Sequence, residues 1–368
     1  MVRRTEVLVI GGGPAGLAAG IAARLKGLEV TVADGAKPPI DKACGEGLMP
    51  QTIMSLRELG VSIHPSDGSE VQGIRLIDGT ASVEARFPAM AGLGVRRTVL
   101  HQRLLERAKE CGVSLLWNSP VSCLAADGAI VGRATIQPKW VVGADGIRSR
   151  VRRWIGLDAV SQKHIRFAHS RHYRMQPWTN CVEIHWGRNS QIYVTPLLAG
   201  ETCVVLVSRD PEMRFEDAWR EYPQLADRLR SAEVSSAQRG AITATYSLGR
   251  VYRQNVALTG DASGGVDAIT GEGLGLSFRQ AIALSSALKM GELERYQAEH
   301  RRLARRPLLM SQLLLFLSRN PRLRRRAFEK LERDPALFAR LLAMHANENS
   351  YSEIAAATAR LGWQFLTV

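Results

Sequence analysis

Short apolar runs, each closed by glycine or an acid, set the pattern of this chain. Val7 to Ile10 is a strand-like run that breaks into Gly11, Gly12 and Gly13, and Pro14 to Leu25 follows with an alanine-rich helical pattern. Glu29 to Ala33 is a second short strand, ending in Asp34. The arrangement returns at Trp140 to Val142, which runs into a turn at Asp145 and Gly146 and then a basic helix predicted to start near Ile147. It returns again at Val256 to Thr259, followed by Gly260, Asp261, a glycine-rich loop and an amphipathic helix with Gly271 and Gly273 at its start. In between, Cys181 to Trp186 alternates with period two. This predicts Val182, Ile184 and Trp186 on one face and Glu183 and His185 on the other. "QIYVTP" and "CVVLV" continue as strands. After Leu293 the chain turns helical and basic, with Pro307, Pro321 and Pro335 expected to punctuate short helices.

Strands alternating with helices, then strands in succession, predict an α/β chain: a three-layer Rossmann-like domain on a parallel sheet, an inserted antiparallel β-sheet domain for substrate, and a helical C-terminal segment. The first unit is expected to be discontinuous, at 1–75, 93–158 and 250–294. The sheet insertion takes 76–92 and 159–249, and the basic helical segment 295–368.

The spacing of Gly11, Gly13 and Gly16 has a physical logic. The first permits a tight turn, the second lets backbone approach a pyrophosphate, and the third allows close helix–strand packing. With Pro14 and Ala15 they open a helix whose N–H groups and dipole suit phosphate. Asp34 stands where a carboxylate accepts hydrogen bonds from ribose hydroxyls. An acid there argues against a 2′-phosphate, leaving FAD or NAD.

Composition adds constraints. Apolar residues make up 45% of the chain and charged residues 23%, which is ordinary for a globular protein. Five scattered cysteines show neither metal-ligand nor disulfide-framework spacing, so no metal is expected and the compartment is read as a reducing cytoplasm. Glu6 and the glycines interrupt the N-terminal apolar run well short of the roughly 18 residues a span needs. Net charge is +14, and residues 295 to 340 hold thirteen basic against four acidic residues. That cluster suits peripheral contact with an anionic membrane through 295–340. It lacks the interleaved aromatics of a nucleic-acid surface, so no nucleic acid is expected. The tail after Ala346 carries no readable role, and the sequence does not specify an oligomeric state.

Together, in this order and at these separations, the three glycine–acid motifs resemble the flavoprotein superfamily of aromatic hydroxylases and geranylgeranyl reductases, over roughly residues 1 to 300. The resemblance implies FAD, held non-covalently. The first motif would hold its ADP part. Asp145 and Gly146 would lie between its pyrophosphate and NAD(P)H, and Gly260 and Asp261 would hold the ribityl chain. Gly271 and Gly273 would offer N–H groups to the flavin's pyrimidine oxygen. Arg97, opening the helical stretch "VRRTVLHQRLLERA" with Leu100 and Leu104 buried, would sit near the cofactor. With a single G-x-G-x-x-G, NAD(P)H has no domain of its own and is a transient donor.

"DKACGEGLMP", residues 41–50, is similar to the reductase branch's D-K-x-C-G-G loop beside the isoalloxazine, with Glu46 in place of the second glycine. Cys44 and Gly45 are thereby expected at the flavin, and Cys44 or Glu46 as the acid of a reductase. His172, Tyr173, His185, Tyr193 and Thr195 are the polar residues expected to face the substrate cavity, with His185, Tyr193 and Thr195 singled out. Prenyl reductases carry Y-x-W-x-F-P, whereas Gln191, Tyr193 and Thr195 stand at those positions. No tryptophan pair has the W-x-W-x-I-P spacing of flavin halogenases. The balance favours NAD(P)H-dependent monooxygenation of an aromatic or lipophilic small molecule through a flavin C4a-hydroperoxide. Reduction of a carbon–carbon double bond is the alternative, and a non-catalytic flavin-binding or membrane- or nucleic-acid-associated protein is the alternative from another class.

Overall fold

The computed structural model describes residues 2–125, 128–158 and 163–346. The C-terminal tail after Ala346 lies outside them. The first sheet runs in the order 252–253, 256–258, 134–143, 2–10, 30–33, 114–116, and its central neighbours are parallel. Val2–Ile10 and Ala134–Gly143 are longer than their apolar cores suggest, because Arg3 and Arg4 continue the ladder opposite Ile136 and Gln137. Along the first strand Val7 and Val9 enter a core shared with the helices Pro14–Leu25, Arg97–Glu110 and Gly273–Met290. Leu8 and Ile10 enter a core on the sheet's other face. Burial on both faces is what makes a central parallel strand uniformly apolar.

The second sheet has nine strands, antiparallel except where Cys181–Trp186 pairs in parallel with Gly73–Asp78. Its centre is Lys163–Arg174, Glu201–Ser208, Ser190–Pro196 and Cys181–Trp186. Both faces are covered, so the alternation in "CVEIHW" does not separate core from solvent. Val182, Ile184 and Trp186 pack with Tyr193, Cys203 and Ile269. On the reverse face Ile192, Val194 and Leu206 pack under Phe215, Tyr222 and Leu225. A third sheet of Gly47–Leu48, Gly92–Val95 and Gly68–Val71 fastens the 41–48 loop between the two larger sheets.

Pro307 does not divide the C-terminal helices as expected. It lies inside one helix, Leu293–Arg319, while Pro321 and Pro335 occupy first turns, where a missing N–H is harmless. No helix among the described residues is long and apolar enough to cross a membrane.

Candidate functional site

The Gly11–Gly16 turn is built against the third strand of the parallel sheet. A Cβ on Gly11, at φ +112°, would lie 2.4 Å from the Ala144 carbonyl oxygen, and one on Gly16 would lie 1.8 Å from that of Gly11. These two positions admit only glycine. Gly13 caps the helix Pro14–Leu25 without a side-chain partner for its first N–H groups, and a Cβ there would meet nothing within 4 Å. Gly45, Gly146 and Gly273 face open space in the same way. At each of these motif glycines, and at the bare donors of the helix that Gly13 opens, a phosphate-bearing, flat-ringed cofactor has room to approach the backbone.

The side chains around it agree. The Asp34 carboxylate accepts from Gly12 N–H at 2.6 Å and Ala36 N–H at 2.7 Å, so it shapes the turn and retains lone pairs for a ribose. Asp145 Oδ2 accepts from the amides of Arg150 and Val151, starting the helix Arg150–Trp154 three residues later than the sequence suggests. Its Oδ1 is buried with no partner, as are Arg97 Nε and Thr259 Oγ1. Buried polar atoms call for a partner, and at these three a bound ligand can supply it. The residues present therefore fit FAD. Two contributors carry no sequence signal. His101, fully buried, sets its Nε2 2.9 Å from the Gly12 carbonyl oxygen, and burial lowers its pKa, so it donates there as a neutral ring. Trp117 packs against Gly12.

The 41–48 loop is tied down at nearly every residue. Asp41 pairs with Arg239 at 2.9 Å and Lys42 with Asp261 at 3.7 Å. The Cys44 carbonyl accepts from the Cys203 thiol at 3.6 Å, and the Gly45 carbonyl accepts from Thr195 Oγ1 at 2.7 Å. Glu46 is only 4% exposed, in the left-handed region at φ 57°. A side-chain residue in that conformation persists where its surroundings over-determine it. Here Oε1 accepts from the Arg97 amide at 2.8 Å, and Oε2 lies 2.8 Å from His172 Nε2. Cys44 is half-buried, and its thiol accepts from the Glu46 amide at 3.4 Å. Burial, reinforced by Glu46, pushes the Cys203 thiol well up, so it stays protonated. Donor atoms of Glu46, His172 and Cys203 lie within 4.8 Å of one another, a grouping that their separation in sequence conceals.

The structure divides the residues expected to face substrate. Tyr193, Thr195 and His172 share the sheet face that carries Cys203 and the 41–48 loop. His185 is on the reverse face. Its Nε2 bonds Glu183 at 3.1 Å and its ring meets Tyr222 edge-on. Glu183 is also held by Arg75 and Trp178, so these two polar residues belong to a packed layer. Tyr173 packs on the reverse face too. Tyr193 donates to Gln191, whose oxygen also accepts from Arg166, and Arg166 pairs with the fully buried Asp267. Desolvation pushes the Tyr193 hydroxyl up to about 12, so it remains a donor. Asp267 caps the turn leading to Gly271, Gly273 and the helix Gly273–Met290.

Residues 4–305 match the FAD binding domain family. The chain belongs to that family. It is an FAD-dependent oxidoreductase, in a family whose members include monooxygenases and reductases. It is 28% identical over 322 residues to the menaquinone reductase of Mycobacterium tuberculosis, covering 79% of this chain and 78% of that protein. It is 25% identical over 332 residues to digeranylgeranylglycerophospholipid reductase 1 of Methanothermobacter thermautotrophicus, covering 80% and 82%. Among solved structures, p-nitrophenol 4-monooxygenase from Pseudomonas putida superposes with a TM-score of 0.80 at 18% identity, covering 95% and 99%, a likeness of fold.

Proposed function

We propose that this chain reduces a carbon–carbon double bond in a lipophilic, prenyl-bearing small molecule. The observation that carries this is Glu46, a buried carboxyl group on the loop where the family resemblance places the flavin. FAD, when bound, supplies the hydride. The chain's own task is to deliver one proton to the substrate carbon opposite and to keep bulk water out. Glu46 is positioned for the first by Arg97 and His172, and the two-faced packing of the second sheet serves the other. Cys44 lines the same loop and shapes the cavity. The names of the two curated relatives, a menaquinone reductase and a digeranylgeranylglycerophospholipid reductase, support this choice. NAD(P)H is proposed as the transient donor.

A second reading, oxygen transfer to an aromatic or lipophilic substrate, is favoured by one observation. Gln191 and Tyr193, at the prenyl-reductase signature positions, are engaged with Arg166 and Asp267. Reduced holoenzyme mixed with a prenylated quinone without oxygen separates the two. Reduction gives flavin reoxidation and a product whose prenyl chain, as distinct from its quinone ring, is heavier by two hydrogens. Reoxidation that requires oxygen, with a product heavier by one oxygen, would establish the second reading instead.

Substrate of this kind resides in membranes, and we propose that the basic helices touch an anionic one. Leu309, Leu313 and Phe316 are exposed at helical spacing on Leu293–Arg319, opposite the buried Ser311 and Leu315.

A further inference from the structure

Among the described residues, the Arg97 amide and His172 bond the Glu46 carboxylate and the Cys203 thiol lies within 4.8 Å of it, and His172 is the one that leads outward. The Arg97 amide is a fixed backbone donor. The Cys203 thiol is fully buried and held protonated. His172 is different: its Nε2 faces Glu46 at 2.8 Å, and its Nδ1 lies 2.6 Å from Ser236 Oγ. Ser236 is half-buried, in the segment between the strands Glu233–Val234 and Arg239–Ser247. That segment is fixed beside His172, because the His172 carbonyl accepts from the Ser235 amide at 2.8 Å and Ser235 Oγ donates to Glu201 at 2.7 Å. Burial thus decreases from Glu46 and His172 to Ser236, along two short hydrogen bonds.

We propose that Ser236 and His172 are positioning residues that form the proton path from solvent to Glu46. The two end states use the same heavy-atom positions. With Glu46 ionised, Nε2–H donates to the carboxylate and Nδ1 accepts from the Ser236 hydroxyl. With Glu46 protonated, its O–H donates to Nε2 and Nδ1–H donates to Ser236 Oγ. Conversion of the first to the second takes one proton from solvent at Ser236, moves one across the ring, and leaves one on Glu46. That proton is the one consumed with each hydride. The imidazole is uncharged in both states, which suits a ring 6% exposed. The use of this proton in turnover rests on the reductive reading of the site, whereas the path itself rests on the geometry.

The test uses holoenzyme and four variants: Ser236→Ala, Ser236→Thr, His172→Gln and Glu46→Gln. In single turnovers with a prenylated quinone, Ser236→Ala and His172→Gln should slow flavin reoxidation by roughly tenfold or more and change its solvent deuterium isotope effect. FAD content and chemical reduction of the flavin should be unchanged, and Ser236→Thr should restore the rate. A second readout needs no turnover. The carboxylic C=O infrared band of the reduced holoenzyme that is lost in Glu46→Gln should exchange into D2O at least about tenfold more slowly in Ser236→Ala. Wild-type rates and exchange in both path variants would overturn the path and leave the reductive reading intact. Absence of any Glu46 band would also overturn it, as would one divalent metal per chain held by Glu46, His172 and Cys203. Ser236-dependent exchange in an enzyme that passes hydride to no prenylated quinone would overturn the reductive reading and leave the path standing.

Discussion

Replacing Arg166 by methionine should be among the most damaging single changes in the second sheet. Arg166 is 3% exposed and Asp267 is 0% exposed. The guanidinium makes two bonds to the Asp267 carboxylate, one of them 3.0 Å, and donates to Gln191 at 2.6 Å. Methionine conserves most of the stem but takes from the buried Asp267 carboxyl its guanidinium partner, leaving it the Ile269 amide at 2.9 Å. Stranding one partner of a buried pair costs about 3–5 kcal/mol. Asp267→Asn should cost a similar amount by stranding the arginine. The double variant removes both charges, so it should return to within about 1 kcal/mol of wild type rather than show the sum, a coupling of several kcal/mol. Urea unfolding of the holoenzyme, followed by circular dichroism and flavin release, measures all four corners. Because Asp267 caps the turn into Gly271 and Gly273, each single variant should also weaken FAD retention. A cost below about 1 kcal/mol for Arg166→Met, or an additive double variant, would refute the view that this pair fastens the sheet to the cofactor domain.

Asp34→Ala should weaken FAD binding by about 1–3 kcal/mol through lost hydrogen bonds, and fluorescence titration of the apoprotein that shows unchanged affinity would remove Asp34 from the cofactor site. Burial pushes His300 down to about 4, and its Nε2 bonds Ser263 at 2.9 Å. The unfolded chain binds this proton near pH 6.5 and the folded chain only near 4, so stability is full above 6.5 and falls by about 3 kcal/mol as pH drops through that window. His300→Gln should flatten that slope in unfolding curves measured between pH 4 and 7. Flotation with anionic vesicles should recover the protein, less so as salt rises or in Phe316→Glu, whereas equal recovery with neutral vesicles would count against the membrane contact.

The parts legible in the sequence are those in which a backbone requirement is local. Gly11 and Gly16 are readable because close approach within one strand–turn–helix unit demands them; Asp34 follows at the distance that unit sets, and Asp145 and Gly260 each close a later strand with a glycine–acid turn of its own. Where a side chain's partner is supplied by topology, the sequence offers no such spacing. Glu46 meets His172 across 126 positions, and Arg166 meets Asp267 across 101. Each pair forms only because Lys163–Arg174 is an interior strand whose face looks onto the cofactor domain. The same topology explains His185. Period two separates its face from that of Tyr193, but cannot tell which face receives the 41–48 loop and which the helices around Phe215 and Leu225. Glu46 shows both sides. Its departure from glycine is visible in the sequence as an oddity within a turn. That a left-handed residue is tolerated there follows from the Arg97 amide and His172 bonding its carboxylate, with the Cys203 thiol within 4.8 Å. A backbone conformation suited to glycine is thus retained for a carboxyl group, and the strain of holding it there, of order 1–3 kcal/mol, is offset by the hydrogen bonds of that group with Arg97 and His172.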